Sequence, residues 1–181
     1  QEQMAYWVAN KLNLPYSHRY IIRLHVNGVT DNARSAVFEA VHQPGSSFLE
    51  QWASKSSEGE FFKVDREFEF NDSGSLIADP QPRMQIFNTT GGVKKRAPYR
   101  QVWQGRAINN TANDYTSVFT LVDAANIPSG PLFVQNMSEL VDMENWMRTF
   151  APEHAIGNWD SFGYRNQQNM FAYKPERGPW S

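Results

Sequence analysis

The order of strand-like and helix-like segments constrains the fold of this 181-residue chain more than any other feature. Residues 19–26 and 35–42 are rich in β-branched side chains, and the Asn27-Gly28 pair between them predicts a hairpin turn. Further strands are predicted at 60–64 and 67–70, and a last short one at 170–173. Because helical patterns fill most of the second half, we expect an α+β fold in which strands and helices form separate layers.

Helices are predicted wherever apolar residues recur at intervals of three and four. The first covers residues 2–13 and ends before Pro15, and a short one follows a cap at Ser46 or Ser47. Three more are expected in the second half: one at 99–107, one capped by Asn113 or Asp114, and one capped by Ser138 that carries Leu140, Met143, Met147 and Phe150.

The spacing of these elements suits two lobes. Residues 1–70 would form the β-rich portion and residues 97–181 the helical portion, with a long irregular segment at 71–96 between them. Segments of that length without secondary structure are usually functional or disordered. The helical pattern is already present at Met4, so we expect the chain to be an internal segment of a longer protein.

Composition excludes several classes of function. The formal charge of -2 and the pI near 6.1 argue against a nucleic-acid partner, which usually requires a basic surface. No apolar run reaches the roughly 18 residues that a membrane span requires. Without cysteine there is no disulfide, zinc-thiolate site or cysteine nucleophile, and the four histidines lack the spacing of a zinc site.

The strongest candidate for chemistry is Asp160, which lies between Trp159 and Ser161 in a stretch rich in polar and aromatic residues. Asn166 and Asn169 follow it at six and nine positions. A carboxylate in such a place can accept a proton from an attacking hydroxyl, and an amide oxygen can hold Mg²⁺ or Mn²⁺. The alternative is that Asp160 caps a turn and the asparagines occupy ordinary loop positions.

Glu39 is the second candidate, because it lies in the middle of a predicted strand on the same face as Val37 and Val41. A carboxylate buried there would need a partner, and Lys63 on the next predicted strand is the nearest plausible one. Such an ion pair would orient a phosphate-binding lysine. Alternatively, the strand lies at an edge and Glu39 faces solvent.

Four stretches together resemble the spore-coat protein H (CotH) kinase-like family. They are residues 158–175 (NWDSFGYRNQQNMFAYKP), 144–157, 14–28 and 37–41, and the first is the most specific. The resemblance implies an atypical kinase, distantly similar to protein kinases, that uses ATP and a divalent metal ion to phosphorylate serine in proteins. It also implies a secreted or surface-associated protein with a protein substrate or surface partner.

The same resemblance assigns roles to individual residues. Asp160 matches the catalytic aspartate, Asn169 matches an asparagine that would hold a metal ion, and Asn166 is the alternative for that role. Glu39 and Lys63 match the glutamate and lysine that position phosphate in the family.

The chain also departs from the family pattern. The residues after Asn27-Gly28 differ from the usual tight hairpin, and the family's later tract with a metal-binding acidic residue is absent from these 181 residues. We therefore expect the segment alone to be inactive. The alternative function is a non-catalytic structural or binding module of a cell surface or coat, with a degenerate kinase-like fold.

Overall fold

The computed structural model describes residues 2–30, 37–66, 69–70, 72–73, 75–78, 84–109, 111–163 and 168–181. Helices and antiparallel sheets both occur, which confirms the predicted α+β class. The chain divides into two compact units, Gln1–Ser54 and Lys55–Ser181, called unit 1 and unit 2 below.

Unit 1 is built from short elements around a small core. Its buried side chains are Leu14, Ser17, Phe48 and Leu49. Aromatic contacts extend this core, since the Tyr16 and Trp52 rings lie 5.2 Å apart. The elements are α1 (Glu2–Lys11), β1 (Arg19–Arg23), β2 (His25–Val26), β3 (Val29–Thr30), β4 (Val37–Val41) and α2 (Ser46–Trp52).

The strands of unit 1 form two small antiparallel pairs. The predicted turn at Asn27-Gly28 is present, with both residues in the left-handed region (φ of 50° and 78°), but it joins β2 to β3 and not directly to the predicted returning strand, β4. Asparagine and glycine tolerate that conformation better than other residues, which explains the turn. β1 pairs with β4 so that Arg19 lies opposite Val41 and Arg23 lies opposite Val37.

Unit 2 contains a three-stranded antiparallel sheet in the order β8-β5-β9. The central strand β5 (Gly59–Val64) pairs with β8 (Trp103–Ile108) on one side and with β9 (Met170–Pro175) on the other. Phe61 and Phe62 point to opposite faces and are both almost fully buried, as expected for a central strand. A small ribbon of β6 (Glu69–Phe70) and β7 (Leu76–Ala78) also belongs to this unit.

Four helices complete unit 2: α3 (Arg96–Val102), α4 (Thr116–Ala125), α5 (Pro131–Leu140) and α6 (Met143–Ala155). Their apolar residues and one face of the sheet form a single core. Its fully buried members include Phe62, Val64, Tyr99, Val102, Trp103, Val118, Leu121, Val122, Val141 and Trp180. Aromatic rings hold this core together, because the rings of Trp103 and Trp180 each lie about 6 Å from that of Phe62.

The predicted helix at 99–107 is half wrong. Residues up to Val102 are helical, but Trp103–Ile108 is a strand that pairs with β5. Pairing with a buried central strand outweighs the local helical pattern, and Gly105 is a poor helix residue in any case.

Two predicted helix caps are also wrong. Gly45, rather than Ser46 or Ser47, occupies the cap position of α2. Ser138 lies inside α5, and α6 begins after Asp142, whose carboxylate accepts a hydrogen bond from the Asn145 amide at 3.0 Å. The predicted cap by Asp114 is close to the observed contact, since its carboxylate accepts hydrogen bonds from Thr116 at the start of α4.

The division into units differs from the predicted lobe boundary at residue 70. β5 lies between β8 and β9, so residues 59–64 belong with the second half of the chain. Within 71–96, the described residues contain β7 and a bridge between Asn88 and Lys94 and are otherwise irregular. Among the helices described, none is long and apolar enough to cross a membrane.

Candidate functional site

Asp160 lies in the connection between α6 and β9. Gly157 ends α6 in the left-handed conformation (φ 68°), which suits glycine at this position of a helix terminus. The Asn158 amide then donates to the Glu153 carbonyl oxygen at 2.9 Å, so the chain turns back along the last turn of the helix. This reversal places Asp160 beside the residues that precede β9.

Two amide side chains hold the Asp160 carboxylate. Gln168 donates to Oδ1, and Asn169 donates from Nδ2 to Oδ2 at 3.0 Å. The same Nδ2 lies 3.2 Å from the carbonyl oxygen of Asp160. Asn169 adopts φ 59°, a left-handed conformation that asparagine tolerates better than most residues. Asp160 and Asn169 are therefore in contact, and both oxygens of the carboxylate have partners; the catalytic and metal-binding roles of the two residues stay predictions.

Contacts with α6 fix the loop around Asp160. The Asp160 amide donates to Asn158 Oδ1 at 3.3 Å, and Asn158 in turn donates to the Glu153 carboxylate. His154 Nε2 lies 2.6 Å from the Gly163 carbonyl oxygen. A Cβ atom at Gly163 would lie 2.9 Å from the Phe150 ring, so this position has no space for a side chain.

The neighbours of Asp160 differ sharply in exposure. The Trp159 side chain is 63% exposed, whereas Ser161 is only 6% exposed and its buried hydroxyl has no hydrogen-bond partner among the described residues. An aromatic face thus lies on the surface directly before the carboxylate. Such a face can contact a partner or substrate.

Glu39 and Lys63 each form an ion pair within their own unit. Glu39 Oε2 lies 2.5 Å from Arg19 Nη1, and the hydrogen bond from Arg19 lowers the pKa of the Glu39 carboxyl. Lys63 Nζ lies 2.5 Å from Asp65 Oδ2. The predicted Glu39–Lys63 pair would join residues of different units and stays a prediction. The Glu39 side chain is 32% exposed, as expected at an edge strand. Their predicted role in positioning phosphate stays a prediction.

Sequence reasoning missed the residue that contacts each of three candidates: Gln168 at Asp160, Arg19 at Glu39, and Asp65 at Lys63. The signal for Asp65 was present, because it follows Lys63 by two positions and so shares its side of the chain. Arg19 contacts Glu39 only because β1 and β4 pair in the observed register. Asn166, the alternative metal ligand, lies outside the described residues.

The described residues do not complete a metal site. They contain no cluster of three or more His, Asp or Glu side chains that could hold an ion. At Asp160 the oxygen atoms that could bind a metal ion are those of its carboxylate and Asn169 Oδ1. The Asn169 contacts with Asp160 use Nδ2 and not Oδ1. Mg²⁺ prefers six oxygen ligands, so these two residues supply only part of a site.

The comparisons with known proteins give one clear result. The family model described as CotH kinase protein matches residues 1–181, the whole chain. No curated protein and no solved structure matches the chain significantly. The family match agrees with the resemblance of the stretch around Asp160, and on this basis the chain belongs to the CotH kinase family.

Proposed function

We propose that this chain is part of a kinase-like domain of two lobes that transfers the γ-phosphoryl group of ATP to a serine of a surface or coat protein. The observation that carries the proposal is the Asp160 carboxylate, held on both oxygens by Gln168 and Asn169 at the edge of an exposed loop. A carboxylate fixed in this way can receive a substrate hydroxyl without first reorganising.

Asp160 orients the serine hydroxyl and accepts its proton as the oxygen bonds to the γ-phosphorus and ADP leaves. Asn169 and Gln168 keep the carboxylate in place through their amide groups. ATP and a divalent ion, Mg²⁺ or Mn²⁺, would supply the phosphoryl group and neutralise its charge. Asn169 Oδ1, with Asn166 as the alternative, is the oxygen that this chain offers to the ion.

Glu39 and Lys63 are proposed to position phosphate. Lys63 is now paired with Asp65, so a bound phosphate would replace that carboxylate as its partner. The family to which the chain belongs supports this role and a secreted or surface location.

The test is phosphoryl transfer by the full-length protein with radiolabelled ATP and a divalent metal ion. Asp160→Asn keeps the shape of the side chain but removes its basicity, and general-base catalysis typically contributes about 100-fold to 10,000-fold in rate. We expect kcat to fall by at least about 100-fold. Asp72→Asn, the same change at an exposed turn of unit 2, should leave kcat unchanged. Full activity in Asp160→Asn would contradict the proposal.

A non-catalytic binding module is the second candidate. It is favoured by the Trp159 ring, which is 63% exposed directly before Asp160 and offers an aromatic face to a partner. The two candidates differ in thermal unfolding with ATP and Mg²⁺. Ligand at about 100 times its Kd stabilises a protein by about 2.7 kcal/mol, which a kinase shows and a module does not.

A further inference from the structure

A second candidate binding site lies at β8, the edge of the unit 2 sheet opposite to β9. β8 is an edge strand, because β5 is its only neighbour among the described strands. Edge strands present unpaired backbone N–H and C=O groups along one side. A cavity of about 420 Å³ opens along this edge. Its lining residues include Arg100, Gln104, Gly105, Arg106, Ile108 and Tyr115.

Two guanidinium groups line this cavity without a carboxylate partner. Arg100 extends from the last turn of α3, and Arg106 lies in β8, and both residues are exposed. Neither forms an ion pair with any described residue; the contact recorded for Arg106 is with Gln104 Oε1 at 3.5 Å. Lys63 and Lys94, by contrast, are paired with Asp65 and Asp123.

The local backbone explains why Arg106 faces the cavity. Phe61 lies opposite Ala107 and Phe62 lies opposite Gly105, so Arg106 is an extra residue at a bulge. Bulges redirect side chains at sheet edges. A Cβ atom at Gly105 would displace the end of the Ile108 side chain, which lines the cavity.

Tyr115 contributes a neutral side chain to the cavity lining. Tyr115 is 3% exposed, and its hydroxyl donates to the Trp103 carbonyl oxygen at 3.4 Å. Burial raises the pKa of Tyr115, so this group stays a neutral phenol near pH 7. The only charges that the cavity lining contributes are therefore positive.

We propose that this edge binds an extended peptide segment with acidic side chains. The peptide adds a strand to β8 through backbone hydrogen bonds, and its carboxylates pair with Arg100 and Arg106. Strand addition supplies affinity through the main chain, and arginine selects carboxylates because its planar group binds them in a bidentate manner. This site uses neither Asp160 nor Asn169 and does not depend on kinase activity.

Peptide binding to the protein can be measured by fluorescence anisotropy at low ionic strength. The probe is an octapeptide that alternates Glu with Val or Thr, which favours a strand and places the carboxylates on one side. We expect a peptide with Gln in place of Glu to bind at least about tenfold more weakly, since charge-assisted hydrogen bonds are roughly twice as strong as neutral ones. The Arg100→Gln/Arg106→Gln variant should show the same loss, while Arg177→Gln, at an exposed arginine elsewhere in unit 2, should not.

Two further measurements separate this proposal from general attraction to anions. N-methylation of alternate peptide amides should abolish binding, because it removes the donors that pair with β8. Amide NMR signals of Gln104–Ile108 should shift with the peptide but not with inorganic phosphate. Equal binding of the methylated peptide, equal binding by the double variant, or no shift at millimolar peptide would each overturn the proposal. If no shift occurs, Arg100 and Arg106 only prevent other strands from pairing with β8.

Discussion

Unit 2 and unit 1 bury their apolar side chains to very different degrees. In unit 2, Phe62, Val64, Val118, Leu121 and Val122 are all fully buried in one core. In unit 1, the strands of the β1–β4 pair leave most of their apolar side chains in solvent. Examples are Tyr20 at 62%, Ile21 at 70% and Val37 at 51% exposed.

The difference shows how each unit is stabilised. Unit 2 has three paired strands and helices that cover one face of its sheet, so burial supplies most of its stability. The described strands of unit 1 form only two-stranded pairs, which are marginal by themselves. There, polar contacts matter more: Arg19 bonds to Glu39 and also donates to the Tyr6 hydroxyl at 3.2 Å, which links β1, β4 and α1.

The largest expected effect is in the core of unit 2. Phe62→Ala should reduce the free energy of unfolding by about 3–5 kcal/mol, because it removes a fully buried ring and leaves a cavity. Tyr20→Ala in unit 1 should change stability by no more than about 0.5 kcal/mol, since that ring is mostly exposed. Urea denaturation measures the change in the free energy of unfolding for both variants. Amide hydrogen exchange in β5 and in β1 shows which unit loses stability. Similar losses of stability in the two variants would contradict the difference in burial between the two units.

A smaller effect is expected at α6, a helix of unit 2 that, like the strands of unit 1, is poorly buried. This helix has no fully buried residue, so its first turn depends on the cap by Asp142. Asp142→Ala should cost about 1 kcal/mol, whereas Asp142→Asn keeps an acceptor oxygen and should cost less. Hydrogen exchange of the α6 amides is the measurement. Unchanged exchange in the alanine variant would show that packing alone holds α6.

The smallest effect is the pH dependence of unit 1. The hydrogen bond from Arg19 lowers the pKa of Glu39 below its ordinary value of 4.5. A carboxyl with a lowered folded-state pKa stabilises the fold at neutral pH, and this contribution is lost as the pH falls through that lowered value. Acidification below about pH 4.5 should therefore lower the protection of the β1 and β4 amides, measured against intrinsic exchange at the same pH.

Glu39→Gln should remove this dependence, because its side chain does not titrate. Asp114→Asn is the matched control: its carboxyl also has a lowered pKa, caused by hydrogen bonds from Thr116, but it lies in unit 2. That control should alter exchange at the start of α4 and leave β1 and β4 unchanged. A persistent acid response of β1 and β4 in Glu39→Gln would assign the effect to another group.

Local chemistry made much of the fold and part of the site predictable. Asn27-Gly28 predicted the hairpin because few other pairs accept two left-handed residues in succession. Met170–Tyr173 predicted β9 from its apolar content, and the strand extends to Pro175. Asp160 and Asn169 are residue types able to do phosphoryl-transfer chemistry, and the structure places their side chains in contact.

The sequence by itself determined the α+β class, the hairpin, most helices and the family, because periodicity, turn residues and motifs act over a few positions. Only the tertiary structure decided that residues 103–108 form a strand, that Glu39 contacts Arg19, and that Gln168 holds Asp160. The first two depend on pairing between residues distant in the sequence, and the free energy of such contacts outweighs the local preference of a short segment. The third depends on the loop conformation that brings Gln168 back to Asp160, eight positions earlier.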